Sequence, residues 1–117
     1  MRVNTLDRLA PFSFLINPAL ASRLTGRNLI FPYYHAVSDE PLPHVKHLYK
    51  TRTFTDFKAD VEFLLRYFQP LEPAEAFKTH LSRKKGKPGF LLSFDDGHAE
   101  FYHVIAPWLR SKGIPAV

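Results

Sequence analysis

The chain has 117 residues, the length of one small domain or of part of a larger one. With 45% hydrophobic and 15% aromatic residues it has enough apolar side chains for a packed core, and the absence of cysteine excludes disulfides, cysteine nucleophiles and cysteine-based metal sites. The formal net charge of +5 attracts anions, but no nucleic-acid-binding motif accompanies it, so we expect no nucleic-acid partner. No apolar run reaches the roughly 18 residues that a transmembrane helix needs.

The first 28 residues predict an N-terminal helical segment ahead of a main domain at 29–117. A helix is expected over about 5–24, closed by Gly26. The apolar stretch 10–20 resembles part of a signal peptide, but Asp7 and Pro11 break the pattern. We therefore predict no signal peptide, which leaves the cytoplasm and the cell envelope both open.

Short apolar runs predict parallel strands near 29–34 (LIFPYY) and 90–94 (FLLSF), with a further strand beginning at 114. Pro32 lacks a backbone donor, so it suggests a sheet edge or a bulge in the first strand. Predicted helices separate the strands, and this order is typical of an α/β fold. The strands near 29–34 and 90–94 are expected to be neighbours, with their carboxyl ends at the same edge of the sheet.

Three helices are predicted after a long Pro-containing loop at 37–53. The first begins at an N-cap, Thr55, and ends before Pro70, and the second starts at Pro73. The third runs from about 99 to 112, and Pro107 inside it should bend the helix or open one hydrogen bond. The apolar residues at helical spacing are Phe57, Val61, Leu64, Leu65 and Phe68 in the first helix, Ala74, Phe77 and Leu81 in the second, and Phe101, Ile105, Trp108 and Leu109 in the third.

The segment Ser93-Phe94-Asp95-Asp96-Gly97 is the strongest chemical signal in the sequence. Two adjacent carboxylates follow a buried strand, at the end where α/β folds carry their sites. Neighbouring side chains point in different directions, so one carboxylate can bind a metal ion while the other faces a water molecule. The spacing alone is a weak signal and favours a polar turn that caps the next helix.

The sequence around this pair resembles the polysaccharide deacetylase family, carbohydrate esterase family 4. The segment 90–97 (FLLSFDDG) is similar to that family's first signature, and 112–117 (KGIPAV) to the stretch that follows it. Tyr34-His35 and 53–57 (TFTDF) resemble the branch that contains bacterial poly-N-acetylglucosamine deacetylases. The resemblance covers about residues 29 to 117.

This resemblance implies the N-terminal portion of a distorted (β/α) barrel and metal-dependent removal of N-acetyl groups from a polysaccharide. Asp95 would be the general base and Asp96 a ligand of a divalent metal, zinc above all. The family's two histidine ligands belong to a downstream His-x-x-x-His motif that these 117 residues do not contain. We therefore expect a truncated domain that is inactive by itself, because catalytic zinc generally takes three protein ligands.

Other histidines offer weaker candidates. His35 ends the first predicted strand at the same edge as the aspartates, either in the substrate cleft or in a structural hydrogen bond beneath the loop. His98 and His103 are about 140° apart on a helix, too far round to share an ion. His44 and His47 lie in a Pro-rich loop, so we predict no metal site there either.

Two rival functions belong to other classes. The first is a catalytically incomplete chain that binds a glycan or another protein, which the missing histidine motif favours. The second is magnesium-dependent phosphoryl transfer. Aspartyl phosphatases need one residue between their carboxylates, and receiver domains carry their acidic pair near the domain start, so this sequence fits neither.

Overall fold

The computed structural model describes residues 16–81, 86–95 and 97–117, with the side chains of His80 and Leu81 left out. It is an α/β fold with small parallel sheets, as the sequence predicts. The predicted helix at 5–24 lies outside the described residues up to position 15. In chain order the elements are α1 Pro18–Leu24, β1 Leu29–Ile30, β2 Tyr33–Tyr34, α2 Phe54–Tyr67, β3 Gln69–Pro70, α3 Pro73–Leu81, β4 Gly89–Phe90, β5 Ser93–Phe94, a π-helical segment Phe101–Ile105 and α4 Ala106–Ser111.

The two predicted central strands lie side by side and parallel. β1 pairs with β4 and β2 pairs with β5, with the same offset in both pairs, so Pro32 produces no bulge. The Ser93 amide donates to the Pro32 carbonyl at 3.0 Å. Since Pro32 has no N–H to return, the ladder is interrupted there while its register continues.

The strand segment 89–94, which comprises β4 and β5, has two short partners on the side away from β1 and β2. Its first half pairs with β3, through Gln69 and Gly89, and its second half pairs with Ala116 through Leu92. The strand predicted from 114 is therefore present as a single parallel bridge, in which the Val117 amide donates to the Leu92 carbonyl at 3.0 Å. The sequence does not predict β3, because Pro70 indicates only the end of a helix.

Alternation along these strands divides the core between two faces of the sheet. On one face Phe90 and Leu92, each 0% exposed, pack with the inner sides of α2 and α4. On the other face Leu91 packs with Leu71 and with Ala76 of α3. The strand segment 90–92 is thus covered on both faces, which explains its continuous apolar sequence.

The apolar spacing of α2 is confirmed, but its predicted start is wrong. Its N-cap is Thr53, whose side chain accepts from the Asp56 amide at 3.1 Å, and Thr55 lies inside the helix. Asp39 also accepts from the Phe54 amide at 2.9 Å. Phe57, Val61, Leu64 and Phe68 are buried and Leu65 is partly buried against them.

The inner face predicted for α3 is wrong at Ala74 and Phe77, and the side chain of Leu81 lies outside the described residues. Ala76 is buried, whereas Ala74 is exposed and Phe77 is 72% exposed. The short strand β3, which pairs with β4, leads directly into α3, and Ala76 is the α3 side chain that packs with Leu71 and Leu91. Phe77 therefore faces away from this cluster.

The last helix contains a wide π turn just before Pro107. The Ala106 amide bonds to the Phe101 carbonyl, five residues back, and α4 follows. Because a proline cannot donate and its ring crowds the preceding turn, the wider turn accommodates Pro107, and this is the distortion predicted there. Ile105 and Leu109 are buried as predicted, while Phe101 and Trp108 pack against the core from its rim. No helix in the described ranges is long and apolar enough to cross a membrane.

The loop at 37–53 has its own small core. Leu42 and Val45 are buried with Ala36, and Tyr49 packs against them. The far end of the loop returns to the sheet, where the Arg52 carbonyl accepts from the Ser38 amide at 2.9 Å. The loop is therefore anchored at its middle and at its end.

Candidate active site

The candidate site lies at the carboxyl ends of the two neighbouring strands. Asp95 directly follows β5, and its amide donates to the Tyr34 carbonyl at 3.0 Å. His35 directly follows Tyr34 on the adjacent strand. Parallel pairing therefore brings the imidazole and the carboxylate to one edge of the sheet, as the sequence predicts.

His35 and Asp95 form a partly solvated pair. His35 Nδ1 lies 3.4 Å from Asp95 Oδ2, and the side chains are 43% and 52% exposed. The contact turns the Nδ1 edge of the imidazole toward the carboxylate and leaves both side chains open to solvent. The pair can therefore exchange protons with a bound molecule and with solvent.

Two tyrosine rings flank His35. Tyr33 contacts it edge to face at a centroid distance of 5.5 Å, and Tyr49 from the loop lies 5.4 Å away. Tyr33 is 63% exposed and lies on the strand face opposite the main core. The pair is thus bordered by aromatic surface accessible to a ligand.

Asp96, the predicted metal ligand, lies outside the described residues, so its role stays a prediction. Gly97 beside it has a φ of +53°, a left-handed conformation that disfavours side chains and turns the chain after the aspartates. Within 16–81, 86–95 and 97–117, no three histidine or acidic side chains are grouped to hold a metal ion. The described residues alone therefore do not fit a catalytic zinc site.

The structure brings together two histidines that the sequence did not pair. His44 of the loop lies against His98, with ring centroids 5.5 Å apart. His98 Nε2 is buried and has no hydrogen-bond partner among the described residues. The path of the loop creates this contact, and no spacing in the sequence signals it.

A cluster of Arg52, Asp60 and Tyr34, which no pattern in the sequence signals, stabilises the strand that leads into the site. Arg52 binds the Asp60 carboxylate through two nitrogens, with Nε at 2.8 Å from Oδ2, and the Tyr34 hydroxyl donates to the same Oδ2 at 3.1 Å. These residues come from the loop end, α2 and β2. The cluster therefore fixes the loop and the helix against the strand that carries His35.

Burial and the nearby negative charge of Asp60 raise the pKa of Tyr34 well above its ordinary value of 10.0. The Tyr34–Asp60 hydrogen bond acts in the same direction, because it stabilises the neutral phenol as a donor.

We expect Tyr34 to lose its proton at a higher pH than an exposed tyrosine does. The Asp60→Asn substitution should lower the pH at which Tyr34 ionises. The unfolded chain ionises this tyrosine near 10.0 while the folded chain keeps it neutral. The free energy of unfolding should therefore fall as the pH rises above that value. Phenolate absorbance measured as a function of pH tests this. The titration curve of the wild type minus that of Tyr34→Phe reports the ionisation of Tyr34 alone. An identical difference curve in the Asp60→Asn background would contradict the assignment.

Comparisons of the chain with models of known protein families, with curated proteins and with solved structures each gave no match.

Proposed function

We propose that this chain forms the N-terminal part of a metal-dependent hydrolase that removes N-acetyl groups from an N-acetylglucosamine-type polysaccharide. The observation that carries the proposal is the position of Asp95, directly after a buried parallel strand and 3.4 Å from His35. It combines with the resemblance of 90–97 to the deacetylase signature. In this proposal the parallel strands and their helices are the first part of a distorted (β/α) barrel.

The partly solvated carboxylate of Asp95 suits a general base. It is 52% exposed, so a water molecule can reach it, and its amide is fixed by the Tyr34 carbonyl. His35 beside it can hold the proton that Asp95 receives or pass it to solvent. The metal that the family uses needs donors beyond the described residues, and Asp96 is the one this chain would add.

The surroundings of His35 suit a sugar ring. Tyr33 and Tyr49 offer aromatic surface for the apolar face of a pyranose, while His35 and Asp95 offer polar partners for its acetamide. Binding sites of this kind combine apolar walls with a few polar groups that fix orientation.

Binding of N-acetylglucosamine oligomers to the 117-residue chain tests the proposal. We expect saturable amide shift changes in nuclear magnetic resonance spectra around Tyr33, His35 and Tyr49, weakened by Tyr33→Ala. Cello-oligosaccharides, which lack the acetamide, are the matched ligand control, and Tyr102→Ala, at an exposed tyrosine elsewhere, is the matched variant. Shifts that are absent, or equal for both sugars, would contradict an acetamide site.

The same samples should release no acetate above a metal-only blank, because the described residues hold no three-ligand group. Release well above the blank would overturn the expectation that this chain is inactive alone. Sugar binding that persists without turnover, in a form carrying the downstream histidine motif, would favour the rival function of a glycan-binding module.

A further inference from the structure

His44 and His98 meet across two separate parts of the chain. His44 lies in the turn of the 37–53 loop, and His98 follows Gly97 at the start of the last helix. Their ring centroids are 5.5 Å apart and the ring planes are inclined by 31°. The contact is distinct from the His35–Asp95 pair.

The buried nitrogen of His98 needs a partner. Nε2 has no hydrogen-bond partner among the described residues. A buried polar atom without a partner is destabilising, so native structures rarely leave one unexplained. A metal ion is one partner that an imidazole nitrogen binds strongly.

The separation of the rings suits chelation of one ion. Zinc–imidazole bonds are about 2.0–2.1 Å long, so two imidazoles on a tetrahedral ion hold their centroids roughly 5 Å apart. The observed 5.5 Å requires only a small approach of the rings. His98 Nε2 makes no hydrogen bond among the described residues that would have to break before an ion could bind.

His44 lies in a part of the loop that is held in place by buried neighbours. Leu42 and Val45, on either side of it, are 7% and 5% exposed and belong to the small core of the loop. The Val45 amide also donates to the Leu42 carbonyl at 3.0 Å. His44 is therefore held near His98 before any ion binds, which lowers the entropic cost of binding.

We propose that His44 and His98 form a binding site for a late first-row divalent transition metal ion, such as Ni²⁺, Cu²⁺ or Zn²⁺. Imidazole donors suit these ions and not Mg²⁺ or Ca²⁺. Water completes the coordination. The site does not depend on the proposed deacetylase activity.

Titration of the tag-free 117-residue chain with Ni²⁺ tests the proposal by calorimetry. We expect about one ion per chain and no comparable binding of Mg²⁺. His44→Asn and His98→Asn should each weaken the affinity by about tenfold or more, because a single imidazole loses the local concentration of its partner. His47→Asn and His103→Asn, at exposed histidines on the same loop and helix, should leave it unchanged.

Two further measurements keep the test decisive if a variant folds poorly. In the wild type, Ni²⁺ should broaden amide signals around 42–45 and 97–99 before those around His35. It should also raise the thermal midpoint, and this shift should be lost in the His44→Asn variant. Unchanged affinity in the double His44/His98 variant, or loss through Asp96→Asn alone, would overturn the proposal.

Discussion

In the proposed deacetylase, with Asp95 as the proposed general base, Asp95→Asn should lower the rate by about 10²–10⁴-fold, the usual contribution of such a base. The measurement needs a polypeptide that continues this chain through a His-x-x-x-His segment. An amide cannot take the proton from the attacking water, yet it has nearly the shape of the carboxylate. The protein should therefore keep its fold and its metal content, measured by elemental analysis beside acetate release.

Two companion variants make this result specific. Asp96→Asn should lose the metal together with the activity, because Asp96 is the proposed ligand. Glu62→Gln, at an exposed position of α2, removes one negative charge and should change neither. If Asp95→Asn removes the metal and Asp96→Asn retains it, the two aspartates have the opposite roles.

Phe57→Ala should destabilise the fold by about 3–5 kcal/mol, the range for large-to-small changes of buried aromatic residues. Phe57 is 0% exposed, and its ring contacts those of Tyr34, Phe94 and Trp108 at centroid distances of 5.0, 5.8 and 5.8 Å. These partners come from β2, β5 and α4. The substitution therefore loosens the sheet and both helices on that face.

Urea unfolding measures the loss, with Phe77→Ala as the matched control. Phe77 is 72% exposed, so its truncation should change the free energy of unfolding by no more than about 0.5 kcal/mol. Since small domains have only about 5–15 kcal/mol of stability, Phe57→Leu provides a milder variant that should stay folded. Equal losses for Phe57→Ala and Phe77→Ala would contradict the assigned core.

The sequence predicts the main elements well where periodicity is strong. The apolar spacing of α2 identifies its buried face, and the FLLSF run identifies a strand whose segment 90–92 is covered on both faces. The spacing is less informative for α3, where Ala76 and not Phe77 is buried. The strand that leads into it, β3, has too few residues to show a period.

For the candidate site, the sequence predicts what depends on strand topology. His35 and Asp95 end two strands whose parallel pairing follows from the helices between them, so their meeting was predictable. The Arg52–Asp60–Tyr34 cluster and the His44–His98 contact depend instead on the path of the loop. That path is set by a few buried side chains, such as Leu42 and Val45, whose spacing follows no period.

Pro32 has a consequence for the solubility of the chain. Apart from this proline, the segment 29–34 is apolar or aromatic and uncharged, the composition of segments that stack into amyloid-like sheets. Phe31 and Tyr33 are 56% and 63% exposed, so part of the segment is accessible in the folded protein. Proline lacks the amide hydrogen that repeated stacking requires. The hydrogen bond absent from the native ladder is therefore also absent from any fibril of this segment, so we expect Pro32 to disfavour such stacking while the chain folds.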